Sequence, residues 1–136
     1  MRSSPNRLLA VIVGGLYLVG GIAAFVISAG MGFFASPGRL LVGVFSTNAS
    51  AAVLDVLIGA ALVMAGFATV AAARIVTTSA GTLFLVLGLA GLFVIGTDVN
   101  VLALNGADNA LHFASAVVLL GVGLGAERSV TRAVAS

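Results

Sequence analysis

The chain reads as an all-α membrane protein, a four-transmembrane-helix bundle built from two similar helical hairpins. Three observations predict this. Of 136 residues, 61% are hydrophobic and only 7% charged, whereas soluble domains carry about one quarter charged residues. Four long apolar stretches each approach the roughly 20 residues needed to cross about 30 Å of hydrocarbon at about 1.5 Å per residue. The second and fourth stretches also begin with related polar residues, the mark of an internal repeat. The stretches are continuous rather than alternating, which favours helices over a barrel, because backbone polar groups in lipid must be satisfied within the segment. Residues 1–136 therefore form a single four-span domain.

The first span is expected at about 8–29, after a short basic start holding Arg2 and Arg7. It exceeds the apolar region of a cleaved signal peptide, about 7 to 15 residues, and ends in Ser28-Ala29-Gly30 rather than an A-x-A-like site, so it is read as retained. The outer loop, 30–48, contains Pro37, Gly38 and Arg39, yet Phe33, Phe34 and the run from Leu40 to Phe45 are too apolar for a solvated linker. It is expected to lie partly in the membrane interface. The second span, about 50–73, carries one charge, Asp55. Residues 74–79 are read as a short turn, which would make the second and third spans antiparallel neighbours. The third span, about 80–96, is expected to be the shortest, and the fourth runs from about 108 to 126.

Arginine placement sets the expected orientation, because basic residues in short loops stay cytoplasmic. Arg2, Arg7, Arg74, Arg128 and Arg132 would share one side, leaving Arg39 on the other. Both termini are thus expected in the cytoplasm of a multi-pass cell-membrane protein, bacterial inner membrane being the setting considered. The six arginines form no basic stripe, so nucleic acid is not an expected partner; the lipid bilayer is. There is no cysteine, which removes disulfides, thiol catalysis and cysteine-ligated metals.

The repeat is clearest where the second and fourth spans begin. Asn48 to Asp55 reads N-A-S-A-A-V-L-D, and Asn105 to His112 reads N-G-A-D-N-A-L-H. Asn48 aligns with Asn105, Leu54 with Leu111, and Asp55 with His112. A looser match joins Leu16–Gly21, L-Y-L-V-G-G, to Leu83–Gly88, L-F-L-V-L-G. Two parallel repeats about an axis along the membrane normal would put Asp55 and His112 at one depth, able to face each other across the bundle.

Asn105, Asp108 or Asn109, and His112 fall at i, i+3 or i+4, and i+7, hence on one helical face that Ser115 and Ala116 extend. The bland reading of Asn48, Asn105 and Asp108 is capping of the helix starts. Asn109 suits a hydrogen bond to another helix or a polar pocket. Asp55 and His112 lie deeper, where an ionisable group costs up to about 2.5 to 3.5 kcal/mol at the bilayer centre and needs a partner. Two readings stand for them: a hydrogen-bonded pair joining two helices, worth about 0.6 kcal/mol, or a ligand, ion or proton site. A lone histidine falls short of a zinc site, so no metal and no cofactor are expected. Gly121 and Gly125 form G-x-x-x-G, suited to close helix packing inside the bundle or between copies.

The polar start of the fourth span, N-G-A-D-N-A-L-H-F, with its weaker copy N-A-S-A-A-V-L-D, resembles an uncharacterised family of bacterial four-span membrane proteins. The resemblance covers most of the chain, and in that family each outer helix start carries an Asn followed by Asn-x-x-His or a close variant. It implicates Asn105, Asp108, Asn109 and His112. The first copy departs from the pattern, with Ala52 and Asp55 where the second has Asn109 and His112, so a symmetric two-histidine site is not expected. The resemblance implies architecture and a site but no activity.

The expected function is a structural or accessory bundle that associates with itself or with a larger membrane complex. The alternative is a carrier or sensor of a small ligand or protons, using the polar cluster around His112 and Asp55. No nucleophile–base pair, phosphate loop or metal signature is visible, so an enzyme is not expected.

Overall fold

The computed structural model describes residues 4–127; Arg2, Arg128 and Arg132 of the orientation argument lie outside the described residues. Four helices follow in chain order: α1 (Pro5–Ile27), α2 (Ala49–Phe67), α3 (Val70–Val94) and α4 (Gly106–Gly125). Between α1 and α2 sits an antiparallel hairpin of β1 (Arg39–Leu41) and β2 (Phe45–Thr47). All four helices are long and apolar enough to cross a membrane. Their outward faces carry large apolar side chains such as Leu16, Phe93 and Val117, 70%, 80% and 73% exposed. Apolar cover on that scale suits lipid and not water, and the chain is a small multi-pass membrane protein.

A side-chain cap starts every helix. Ser4 accepts from Arg7 N, Asn48 from Ala51 N, Thr69 from Ala72 N and Asn105 from Asp108 N. These bonds satisfy amides that lipid cannot. They also correct the expected boundaries. Ser4 and Asn105 begin α1 and α4 upstream of residues 8 and 108. The second span ends at Phe67 rather than 73, and Thr69 opens α3 immediately, so residues 74–79 are helical and not a turn. At 25 residues α3 is the longest helix rather than the shortest. Its polar run was misleading because a hydroxyl can bond back to the helix that carries it, as Thr82 Oγ1 donates to the Thr78 carbonyl at 2.9 Å.

The loop 30–48 is likewise more ordered than expected. Val44 N donates to the Leu41 carbonyl at 3.1 Å, with Val42 and Gly43 at φ 47° and 74°. Two successive positive φ values make this a type I′ turn, whose twist matches a two-stranded hairpin. Its tip stays apolar and exposed, Val42 at 79%.

Helix α1 packs along α2, and α3 along α4, forming two hairpins that join mainly through α2 with α3 and α1 with α3. Corresponding residues make corresponding contacts in each. A Cβ at Gly14 would lie 2.7 Å from Leu62 Cβ, and one at Gly81 would lie 3.0 Å from Leu119 Cβ. Gly21 meets Val56 as Gly88 meets Phe113, and Gly66 meets Val11 as Gly123 meets Thr78. Arg7 Nε donates to the Gly66 carbonyl at 2.9 Å, and Arg74 Nε to the Gly123 carbonyl at 3.2 Å. At the opposite end Arg39 Nη1 donates to the Ile27 carbonyl at 2.7 Å. Each described arginine thus sits at a helix C-terminus, where free carbonyls and the helix dipole favour a cation.

The centre is filled by Ala10, Ile58, Leu62, Ala80, Phe84, Ala116 and Leu119. Helices α1 and α4 touch little. Near the chain termini they are clamped by Glu127, whose carboxylate accepts from Ser4 Oγ and Asn6 Nδ2. Toward the hairpin end they part.

Candidate functional site

The gap between α1 and α4 is a cavity of about 390 Å³. Tyr17 and Gly20 of α1, Leu54 and Asp55 of α2, and Leu111, His112 and Ser115 of α4 line it, and β2 residues Phe45, Ser46 and Thr47 roof it. Its side wall includes Leu16, Leu111 and Val118, which are 70%, 39% and 46% exposed on the bundle surface. The mouth therefore faces lipid. Apolar walls with a few convergent polar groups are the usual make-up of a small-molecule site.

The polar groups come from three helices. The hydroxyls of Tyr17 and Ser115 are hydrogen-bonded at 2.8 Å. Tyr17 also packs on Phe84, ring centroids 4.5 Å apart, and Phe84 stacks on His112 at 5.6 Å. His112 is 7% exposed, and its Nδ1 is buried with no hydrogen-bond partner. Asp55, half-buried, has no hydrogen bond or ion pair in the structure, although Gly21 lets α1 approach until a Cβ there would lie 3.0 Å from Asp55 Cβ. An unpaired carboxyl and an unpaired imidazole in a membrane helix are expensive groups to leave without partners.

Asp108 has a double role. Its Oδ2 accepts from Asn105 N at 2.9 Å, completing a capping box, and from Ser46 N at 3.1 Å, holding the hairpin over the cavity. Asn105 adds a tether from Nδ2 to the Val44 carbonyl at 2.9 Å. Asn48 caps α2 and donates to the Ala35 and Val101 carbonyls at 3.0 and 2.8 Å, tying both loops to the helix starts.

The sequence-predicted cluster is thus divided. Asp55, Asp108 and His112 line one cavity, and Asn105 sits at its rim. Asp55 and His112 do not pair; α2 and α4 scarcely touch, and the two side chains line the cavity from separate helices. Asn109 is not part of the lining. It turns toward α3, into space left by Gly91, where any Cβ would collide with its side-chain amide. Gly121 and Gly125 do not pack inside the bundle, since a Cβ at either would meet open space. The close approaches are made by Gly14, Gly21, Gly59 and Gly66 in one hairpin and by Gly81, Gly88, Gly91 and Gly123 in the other. Among the described residues no three His, Asp or Glu side chains gather to hold a metal ion.

Sequence reasoning missed Tyr17 and the roof. One tyrosine in an apolar run has no spacing partner to mark it. The alignment of Leu16–Gly21 with Leu83–Gly88, which sets Tyr17 against Phe84, was the available signal.

Comparison with known proteins bears on this geometry. Residues 7–125 match a protein family described as a domain of unknown function, DUF4383. No curated protein and no solved structure matches the chain.

Proposed function

The chain belongs to the DUF4383 family of unknown function, and for it we propose a binding role: a membrane carrier or sensor that holds a small lipophilic molecule in the cleft between α1 and α4. One observation carries this reading. Asp55 and His112 line a common cavity, and among the described residues neither the Asp55 carboxyl nor the buried His112 Nδ1 has a hydrogen-bond partner. Groups serving only to join helices would be paired.

Comparison of the two hairpins supports it. If they descend from one duplicated unit, the α2/α3 and α4/α1 interfaces are equivalent. At the first, Phe84 and Ile58 are both buried in the core. At the second, Tyr17 and Ser115 replace them, and the interface is open. The polar, open interface is the one that departs from the repeat. No catalytic step is proposed, because the lining holds no group positioned as a nucleophile beside a base. The arginine asymmetry supports placing the hairpin end away from the cytoplasm.

Tyr17 is the single tyrosine and there is no tryptophan, so intrinsic fluorescence reads the cavity wall. Titrating the purified protein in lipid vesicles, which add no fluorescent protein, with 1-naphthylmethanol should give saturable energy transfer from Tyr17. Ser115→Ile, which restores the Ile58-like packing, should weaken binding by about tenfold with helical content unchanged, a loss of about 1.4 kcal/mol. Non-saturable transfer that is identical in both proteins means that the alcohol only partitions into lipid, and the reading fails.

A second reading, self-association, is favoured by the open faces of Gly121 and Gly125 beside exposed Val117 and Leu124. It expects Gly121→Leu with Gly125→Leu to abolish crosslinked dimers in membranes. Dimers that persist in the double variant count against it.

A further inference from the structure

We propose that the molecule bound in the α1/α4 cleft is a lipophilic cation, an organic ammonium on an aromatic or aliphatic body, which enters sideways from the bilayer and is held by the Asp55 carboxylate. This rests on the cleft being a binding site and adds the class of its ligand.

Charge is the first argument. The titratable groups facing the cavity are Asp55 from α2, Asp108 and His112 from α4, and Tyr17 from α1. No arginine is among the lining residues. Arg7, Arg39 and Arg74 are each committed to carbonyls at a helix end, so no arginine among the described residues partners either acid. The two acids differ, however. Asp108 is stabilised by the amides of Asn105 and Ser46, whereas Asp55 has no such donor. A carboxylate held in hydrocarbon without a counter-charge is the costly state that an incoming cation relieves.

Surroundings and access agree. His112, more than nine-tenths buried and unpartnered, lines the same cavity. Thus the polar end of the cleft is left unsatisfied from two helices at once. Tyr17 and Phe45 supply aromatic surface that accepts a cation on its face. Asp55 lies in the second turn of α2, about 9 Å along the helix at about 1.5 Å per residue, and so beneath the hairpin roof. A ligand reaches it past Leu16 and Val118, on the lipid-facing side, with its apolar body left between α1 and α4.

The test compares 1-naphthylmethylamine, as its ammonium, with 1-naphthylmethanol and 1-naphthoate in vesicles of zwitterionic lipid, read by energy transfer from Tyr17. The ammonium should bind at least tenfold more tightly than the alcohol, and the naphthoate should bind more weakly than either. Asp55→Asn should remove the preference for the ammonium, so that the ammonium and the alcohol bind alike. Asp55→Glu should retain the preference and serves if the amide variant does not fold. Equal binding of ammonium and alcohol, or a preference that survives in Asp55→Asn, overturns the cation proposal but leaves the site. Absence of saturable binding by all three probes, or binding indifferent to Ser115→Ile, overturns the site as well.

Discussion

At the scale of single residues, the hairpin end of the molecule holds backbone as well as side-chain features that call for a physical account. Val42 is an example on the hairpin tip: a β-branched side chain at φ 47° occupies the left-handed region that Asn or Gly adopts with least strain. Asn followed by Gly is the favoured pair for this turn, and Gly43 already supplies the second residue. Replacing Val42 with Asn should therefore stabilise the hairpin by about 1 kcal/mol, seen as slower hydrogen exchange at the Val44 amide, which closes the turn. Unchanged or faster exchange would show that the tip is held by its apolar surroundings rather than by turn geometry. The same scale shows what the sequence made legible. Asp55 and His112 stood out because ionisable groups are rare inside spans. Ser115 was visible only as a small residue on the His112 face. Asn109 shared that face by spacing, yet one turn of helix is wide enough to send Asp108, His112 and Ser115 toward the cavity and Asn109 toward Gly91.

At the scale of elements, hydropathy located four helices because lipid imposes one length and one kind of surface on each of them. The ends were less legible where a polar run was helical. Residues 74–79 resembled a turn by composition, but the turn is Ala68 and Thr69, and Arg74 extends from within α3 to the α4 C-terminus. The apolar character of the loop 30–48 was legible, though not its hairpin, because no Asn-Gly or Asp-Gly pair marks the turn. Capping was the best-read local feature. Asn48 and Asn105 do satisfy their helix starts, and the side chains that cap also tether the loops. The roof is therefore tied by side-chain hydrogen bonds to the helix starts on which it is built.

At the scale of the whole molecule, the two hairpins pack through close glycine contacts, and one of the two interfaces between them is open. The chain itself explains part of this. Helices α2 and α3 are joined by two residues, which holds that interface shut. Helices α4 and α1 have no such link, and the clamp of Glu127 with Ser4 and Asn6 takes its place near the termini. Asn6 is fully buried there, and its Nδ2 also reaches the Val122 carbonyl at 3.4 Å. Removing it with Asn6→Ala takes a donor from a carboxylate, a change that costs about 1 to 3 kcal/mol when the acceptor is charged. The protein contains no cysteine, so spin labels can be placed uniquely at Leu8 and Leu124, both half exposed on the bundle surface. In Asn6→Ala the distance between these labels should lengthen and broaden, and the melting temperature should fall. The naphthyl probe should leave the cleft faster, because Ser4 alone would then hold Glu127 at the terminal end. A label distance and melting temperature equal to those of the unmodified protein would show that lipid pressure alone keeps α1 against α4, with the clamp contributing only local order.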